Sequence, residues 1–522
     1  MKHLSFESVL LLASLALATP QPGFGQSVSE RQAARLLDQA TWGPTPEAIA
    51  AVERMGIEEW LSVQFRIRGS DLPDQPLLNS AGNTNTNLAP VQAAFFRNAV
   101  GGHDQLRQRM AYTLSQIWVV SATAGVPNAY AYPPYWRIFR DHAFGNYRDL
   151  IKAVTLSPAM GRYLNMANNN KGNAAKGTSA NENYARELMQ LFTLGLTKLN
   201  QEGSPVLDAN RSPVPTYNQS DVTNLARALT GWTYPTAPGA TVRVNNPAYY
   251  FGPMIAVETE HDTTAKTIFG NLNLPAGQTA EQDLESVLDA LMKQPTMAPF
   301  ISQQLIQHLV TSNPSAGYIE RVAKVFEDDG SGVSGNLRAV VKAILTDDEA
   351  RAADSSPAVI ASNFGHLREP ILMMANILRG LDATVGQTNG ITGATTNMSQ
   401  ELFYAPSVFS YFSPQYRTKK GLLGPEFQIY STQTAANRAG VINTILYGTM
   451  SGVKVNLAPY VALAGNSNDL MTHIANVFLH GAVSPQLQGA AVTAVNAATT
   501  PLAKAQAALY IVLTSSEYQI VQ

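Results

Sequence analysis

Apolar residues recur at helical spacing along most of the chain. Leu284, Val287, Leu288 and Leu291 fall at i, i+3, i+4 and i+7, a pattern typical of one buried helix face. Another helix is predicted to begin at Pro46, after the capping residue Thr45, and to end at Gly56. Comparable patterns predict helices over 57–65, 105–120, 147–163 with a break at Pro158, 221–229, 279–292, 299–310, 318–326, 337–345, 370–381, 427–446, 469–479 and 503–517.

Strand signals are sparse by comparison. Residues 241–244 and 255–257 have the composition of short strands and predict a small hairpin around Tyr249, Tyr250 and Phe251. Segments 69–87, 197–216 and 386–399 are rich in Gly, Asn, Pro, Ser and Thr, which predicts long loops. The expected fold is mainly α: a large multi-helix globular domain over 27–522 with long loops and a minor β-hairpin insertion within 233–275.

The N-terminus is typical of a secretory signal peptide. Lys2 precedes an apolar run of ten residues from Val9 to Ala18, and Ala16 and Ala18 form a small-residue cleavage site. The alternative is an N-terminal helix that docks on the fold. No later segment offers the roughly 18 continuous apolar residues of a membrane span. We therefore predict a signal peptide over 1–26, no transmembrane anchor, and export to the periplasm or the extracellular space.

Composition and missing motifs exclude several classes of function. The net charge of −2 does not favour nucleic-acid binding, and the absence of cysteine excludes disulfides and thiolate chemistry. Charged residues make up only 14% of the chain, so the polar surface depends on uncharged side chains. The sequence contains no G-x-S-x-G elbow, H-E-x-x-H motif or P-loop. These absences disfavour the commonest hydrolases and NTPases.

Short motifs follow one another in a fixed order along the chain. They are ATWGPT at 40–45, NENYAREL at 181–188, YNQSDV at 217–222, ARALTGW at 226–232, HD at 261–262, REP at 368–370, APSVF at 405–409 and LTSSEY at 513–518. Together they resemble the signature of the bacterial domain-of-unknown-function 1800 family. The chain departs from the family pattern in the helix that ends with residues 115–118, which lacks the His-Asn-His cluster that many relatives carry there. The resemblance implies an exported protein without an established activity. It also implies a sulfatase-like exported partner, because such proteins often accompany a sulfatase-like family.

The NENYAREL motif has two interpretations. A helix is expected to begin at Asn181, with Tyr184 and Leu188 on its buried face. In the structural interpretation, Glu182 and Arg186 form an i, i+4 ion pair, and Glu187 helps to tie down the following loop. In the functional interpretation, Glu182 or Glu187 lines a polar cleft together with a His-Asp pair.

The functional interpretation defines a candidate site. Its predicted catalytic residues are Glu182, Glu187, His261 and Asp262. Two carboxylates and an imidazole could carry out acid–base chemistry or hold a divalent cation, although no specific metal is implied. The predicted binding residues are Asn183, Arg186, Arg227, Trp232 and Lys266. We expect the helix that begins at Asn181 to pack beside helix 221–229, facing the His261–Asp262 turn.

Two classes of function follow from this sequence. The first is an exported enzyme that acts on envelope or extracellular polymers, since aromatic side chains and Asn-rich loops suit carbohydrate-like ligands. The alternative is a non-catalytic exported partner or scaffold that works with the sulfatase-like protein. A convergent polar cleft would favour the enzyme, whereas a broad exposed apolar patch would favour the partner.

Overall fold

The computed structural model describes residues 28–357, 361–386 and 390–522, so the predicted signal peptide over 1–26 lies outside the described residues. The fold is mainly α, as predicted. The helices are α1 Glu30–Ala40, α2 Pro46–Met55, α3 Ile57–Arg66, α4 Ala89–Gly101, α5 Gln105–Ile117, α6 Tyr132–His142, α7 Tyr147–Thr155, α8 Pro158–Tyr163, α9 Asn183–Gln190, α10 Gln219–Ala228, α11 Ala280–Met292, α12 Met297–Leu309, α13 Ala316–Glu327, α14 Leu337–Thr346, α15 Asp348–Arg351, α16 Pro370–Gly380, α17 Gly390–Asn397, α18 Thr432–Tyr447, α19 Ala458–Leu463, α20 Ser467–Phe478, α21 Pro485–Ala497, α22 Pro501–Thr514 and α23 Ser516–Gln519. No helix in these described ranges is both long and apolar enough to cross a membrane.

The strands are short and pair only two by two within the described residues. They are β1 Trp232–Thr233, β2 Ile255–Ala256, β3 Lys266–Ile268, β4 Leu272–Leu274, β5 His366–Leu367, β6 Thr384–Val385, β7 Val453–Lys454 and β8 Ile520–Val521. The antiparallel pairs are β1–β2, β3–β4, β5–β8 and β6–β7. The strand predicted over 241–244 is not formed. Instead, β2 pairs with β1, which directly follows helix α10.

Local signals explain where several helices begin and end. The Thr45 side chain accepts a hydrogen bond from the Ala48 amide and caps α2, while Gly56, with φ of 78°, ends it. Pro158 stands at the start of α8, where its missing N–H costs nothing, so the apolar segment divides into α7 and α8 as predicted. These breaks let consecutive helices fold back on one another.

Residues from both ends of the described chain share one continuous hydrophobic core, which extends in sequence from Ala33 to Tyr518. A buried ion pair adds to this connection. The Arg368 guanidinium donates two hydrogen bonds, of 2.7 and 2.8 Å, to the Asp38 carboxylate, which also lies 2.9 Å from His480 Nε2. Burial opposes ionisation of Asp38, but the charge of Arg368 and the hydrogen bonds from Arg368 and His480 prevail and keep the pKa of Asp38 far below its ordinary value. Arg368 in the REP motif therefore joins α1 to the C-terminal helices, in agreement with a structural role.

Candidate functional site

Glu182 lies at the N-terminal end of α9 and joins that helix to α10. Its carboxylate accepts a 2.9 Å hydrogen bond from Arg186 Nη2, one turn further along the same helix. Gln219 Nε2 donates to both carboxylate oxygens at 3.0 and 2.9 Å, and the Thr223 hydroxyl donates at 2.8 Å. These hydrogen bonds, led by the one from Gln219, lower the pKa of Glu182. The predicted ion pair is present, and the two helices pack side by side as expected.

Polar side chains on one face of α10 extend the hydrogen bonds around Glu182 toward the His261–Asp262 turn. Gln219, Thr223 and Arg227 are spaced by four residues, so they form a stripe along the helix. Arg227 Nε donates a 2.8 Å hydrogen bond to Asp262. Burial opposes ionisation of Asp262, but the hydrogen bonds from Arg227 and its neighbours prevail and lower its pKa to about 2. Glu182 and Asp262 therefore lie along the same stripe, each with its own arginine.

His261 points away from this stripe into the protein interior. Its Nδ1 lies 3.0 Å from the Thr230 carbonyl oxygen, and its Nε2 lies 3.2 Å from Asp283 Oδ2. The Lys266 ammonium contacts the same Asp283 oxygen at 2.7 Å, and all three side chains are fully buried. Gly231 permits this approach: it has φ of 84°, and a Cβ there would lie 2.9 Å from the His261 amide nitrogen.

The remaining predicted binding residues differ in their exposure. Asn183 is partly exposed, and its amide donates a 3.1 Å hydrogen bond to Asn165. Trp232 is only 3% exposed and belongs to the hydrophobic core, so its ring is not presented to a ligand in this conformation. No hydrogen bond among the described residues joins Glu182 or Glu187 to the His261–Asp262 pair.

Glu187 differs from the other predicted catalytic residues because part of its carboxylate has no partner. It lies on α9, and its buried Oε2 atom makes no hydrogen bond within the described part of the chain. Burial raises the pKa of Glu187, and the charge of Arg186 offsets this only in part. Burial, followed by the nearby Glu187 charge, raises the pKa of Tyr163 to about 12.

A cavity of about 50 Å³ is lined in part by Leu191, which lies one helical turn after Glu187. Phe412 also lines it and belongs to the small apolar cluster against which Tyr163 packs. The described lining residues are Gln116, Ile117, Leu191, Gln304, Gln307, His308, Val408, Phe409, Ser410, Phe412, Pro414, Pro425 and Glu426. Glu187 is not among these lining residues and lies one helical turn from Leu191.

Further polar atoms around the cavity lack partners. Glu426 is 4% exposed, and its Oε2 makes no hydrogen bond to the described residues, nor does Nε2 of Gln304. The other Glu426 oxygen lies 3.4 Å from Nδ1 of the buried His366. Burial, with the positive charge of Arg109, lowers the pKa of His308 to about 3, so this imidazole is neutral at physiological pH. Buried polar atoms without partners are rare, and their concentration here indicates a ligand site.

A second buried carboxylate holds one wall of the cavity in place. Gln116 donates hydrogen bonds of 3.0 and 3.1 Å to the two oxygens of Glu369, and Tyr112 donates one of 3.1 Å. Gln400 contacts the same carboxylate. Burial raises the pKa of Glu369, while the nearby Arg109 charge opposes that rise. Because the Glu369 carboxylate is fully hydrogen-bonded, it fixes the Gln116 amide rather than facing the cavity.

Aromatic and aliphatic side chains are exposed around the segment that closes the cavity. Phe409, which lines the cavity, is 41% exposed. Tyr416, Leu422 and Tyr430, from the loop and turn that follow, are between 36% and 38% exposed. We refer to these four side chains as the aromatic rim. Exposed apolar groups beside a cavity are typical of a binding surface.

The described residues contain no group of three or more His, Asp or Glu side chains placed to hold a metal ion. The divalent cation that the sequence left open therefore has no preformed cage of protein ligands in the described ranges.

The cavity residues Glu426, Gln304 and Gln116 were not predicted from the sequence, nor was His366, which lies beside Glu426. Glu426 follows Pro425 at the start of a short 3-10 helix, which reads as an ordinary capping acid. The one sequence signal for this cavity was the REP motif, because its Glu369 holds the side chain of Gln116 in place. Only the fold brings these distant segments together.

A family model described as "Protein of unknown function (DUF1800)" matches residues 35–520, which is nearly the whole chain. Neither the curated proteins nor the solved structures provided a match.

Proposed function

We propose that the chain, which belongs to the DUF1800 family of proteins of unknown function, is an exported enzyme that acts on envelope or extracellular polymers. One observation carries the proposal. The Glu426 carboxylate, which lines the cavity, keeps a buried oxygen without a hydrogen-bond partner among the described residues, and so does the Glu187 carboxylate, one helical turn before the lining residue Leu191. Such atoms are costly to bury, so a role in binding or chemistry explains their retention.

In this proposal Glu187 is the group that transfers a proton. Burial raises its pKa, which keeps the carboxylic acid protonated closer to neutral pH than an ordinary glutamate. A carboxyl group in that state can donate a proton to a leaving group. Glu426 supplies a second carboxylate that could accept a proton from an attacking water molecule. The predicted catalytic roles of Glu182, His261 and Asp262 stay predictions, with contacts that also suit structural roles.

The aromatic rim supports a carbohydrate-like ligand. Phe409 and Tyr416 are exposed near the cavity, and flat aromatic faces pack well against the apolar faces of sugar rings. The cavity itself is lined by the amides Gln116, Gln304 and Gln307, which can both donate and accept hydrogen bonds. This combination suits a neutral hydroxyl-rich chain that crosses the rim and places one linkage at the cavity.

The test uses the exported protein on purified peptidoglycan sacculi and on extracellular polysaccharide. Release of soluble fragments is measured by chromatography and mass spectrometry. We expect fragment release by the unaltered protein and a loss of about 10²-fold or more in Glu426→Gln, in the range of general acid–base effects. The control is Glu320→Gln, which removes an exposed carboxylate from a helical ion pair on α13. Equal fragment release by Glu426→Gln and the control would contradict the proposal.

The alternative is a non-catalytic partner or scaffold for a sulfatase-like exported protein. The exposed side chains of the aromatic rim favour it, because apolar surface of this kind also binds proteins. Purification of the native protein from the exported fraction, with identification of its companions, separates the two functions. The scaffold predicts a stoichiometric sulfatase-like companion that is lost in Tyr416→Ser. It also predicts no fragment release from either polymer.

A further inference from the structure

A second group of buried charges lies away from the cavity just described, where α1 meets α15. Arg35 on α1 is completely buried, and one of its nitrogens, Nη1, contacts the Asp354 carboxylate. The other two nitrogens, Nε and Nη2, make no hydrogen bond to any of the described residues. A fully buried guanidinium that uses one of its three nitrogens has unused hydrogen-bonding capacity for a ligand.

Two further arginines lie near the same acid, and one of them contacts it. Arg351 Nη1 lies 3.6 Å from Asp354 Oδ2, and the Nε atom of Arg351 has no partner among the described residues. Arg31 instead donates to backbone, with hydrogen bonds of 2.9 Å to the Ala353 carbonyl oxygen and 2.7 Å to that of His480. Three guanidinium groups therefore surround a single carboxylate in a chain that carries few charges.

Arg35 lines a cavity of about 370 Å³. Ser315 lies on the opposite side, immediately before the twelve-residue helix α13, and Asn363 adds an exposed amide. Glu349 also lines the cavity, but both of its oxygens are engaged by Ser315, one by the backbone amide at 3.0 Å and the other by the hydroxyl group. With Glu349 and Asp354 counted against the three arginines, the region keeps one positive charge in excess.

Arginine binds planar oxyanions in a bidentate manner because its nitrogens form a rigid fork. The unpartnered Nε and Nη2 atoms of Arg35 are the pair that such a fork would use. We propose that this cavity is a binding site for an oxyanion, either a free phosphate or the phosphate or carboxylate group of a larger ligand, held by Arg35. Positive charge from the nearby Arg351 strengthens the attraction. This inference does not depend on the proposed enzymatic function.

The test is calorimetric titration of the full exported chain with sodium phosphate and, in a separate arm, with sodium acetate, at constant ionic strength. We expect saturable binding of one anion per chain. Binding in the phosphate titration would indicate a free or esterified phosphate as the ligand, and binding in the acetate titration would indicate a ligand that carries a carboxylate. Absence of saturable binding in both arms would overturn the proposal.

Two variants locate the site. Arg35→Gln removes the charge and should weaken binding at least tenfold. Asn363→Asp adds a negative charge on the exposed wall and should weaken it similarly, without touching the Arg35–Asp354 pair. If Arg35→Gln fails to fold, anion binding by Asn363→Asp tests the proposal on its own. The control is Asn271→Asp, the same charge change on the exposed turn between β3 and β4, which should leave binding unchanged. If Asn363→Asp bound the anion as tightly as the control, the site would lie elsewhere and the proposal would be wrong.

Discussion

Replacing Glu187 by glutamine should make the protein more stable at neutral pH. The wild-type carboxylate is half-buried on α9, and its Oε2 atom has no partner among the described residues. A buried polar atom without a partner costs about 1–3 kcal/mol, and partial exposure places Glu187 near the lower end. Glutamine has nearly the same shape and still leaves one polar atom without a partner, but an unpartnered charged group costs more to bury than a neutral one, so we expect the free energy of unfolding to rise by about 1 kcal/mol.

The effect should depend on pH in a defined direction. Burial raises the pKa of Glu187 in the folded protein above its ordinary value of 4.5. As pH rises through that value, the unfolded chain loses its proton first, so wild-type stability falls until the folded carboxyl also ionises. Glu187→Gln has no ionisable group at this position, so its stability does not fall in this way as pH rises. Its advantage should therefore vanish below the ordinary pKa and reach its full size above the raised one.

The assay is urea unfolding of Glu187→Gln and wild type, followed by circular dichroism at several pH values. Glu320→Gln is the matched control, because Glu320 is exposed and pairs with Lys324. It should change stability by less than about 0.5 kcal/mol. If Glu187→Gln were destabilised by 1 kcal/mol or more at neutral pH, its carboxylate would be a structural group, and the reasoning would be refuted.

Three further predictions concern the structural networks, each measured as a free energy of unfolding in urea. Gly231→Ala should cost about 2 kcal/mol more than Gly270→Ala, because both have positive φ but only Gly231 faces backbone at close range; equal costs would contradict this. Asp283→Asn should cost about 3–5 kcal/mol, since it leaves the buried Lys266 ammonium without a carboxylate, and a change under 1 kcal/mol would refute that role. Asp38→Asn should cost a similar amount at neutral pH. Its pKa is lowered in the folded protein, so the stability that it contributes is present above the ordinary value of 3.8 and is lost as pH falls toward the folded value; a cost independent of pH would contradict this.

Most helices were predicted from the sequence, including the fully buried α16, whereas α4 and α6 were not. Helix α4 reads as almost continuously apolar, so it lacks the contrast between faces that defines a period. Helix α6 begins with Tyr132, Pro133 and Pro134, which suggest a turn. The prolines stand in the first helical turn, where they are tolerated. Whether such segments form helices depends on how they are buried in the tertiary structure.

The pairing of β2 shows the same limit. A hairpin between neighbouring segments was the local expectation, but Ile255 pairs with Thr233 instead. β1 follows the turn at Gly231 and lies beside β2, although a long loop separates the two strands in the sequence. Register between distant segments is set by packing, which the local pattern does not contain.

The candidate site was predictable in part. The pairing of Glu182 with Arg186 and the proximity of Arg227 to Asp262 followed from spacing and from the ordered motifs. The cavity that Leu191 and Glu426 line did not, because Glu426 comes from a distant part of the chain. Periodicity identifies which face of a helix is polar, but not which remote segment will face it.

The central claim is that this protein acts at the cavity lined by Leu191 and Glu426, with Glu187, one helical turn from Leu191, as the proton donor. The most direct measurement compares Glu187→Gln with Glu320→Gln in fragment release from sacculi and extracellular polysaccharide, with both variants shown to be folded. The account predicts a loss of about 10²-fold or more for Glu187→Gln and no change for the control. Fragment release that is the same in both variants would contradict it.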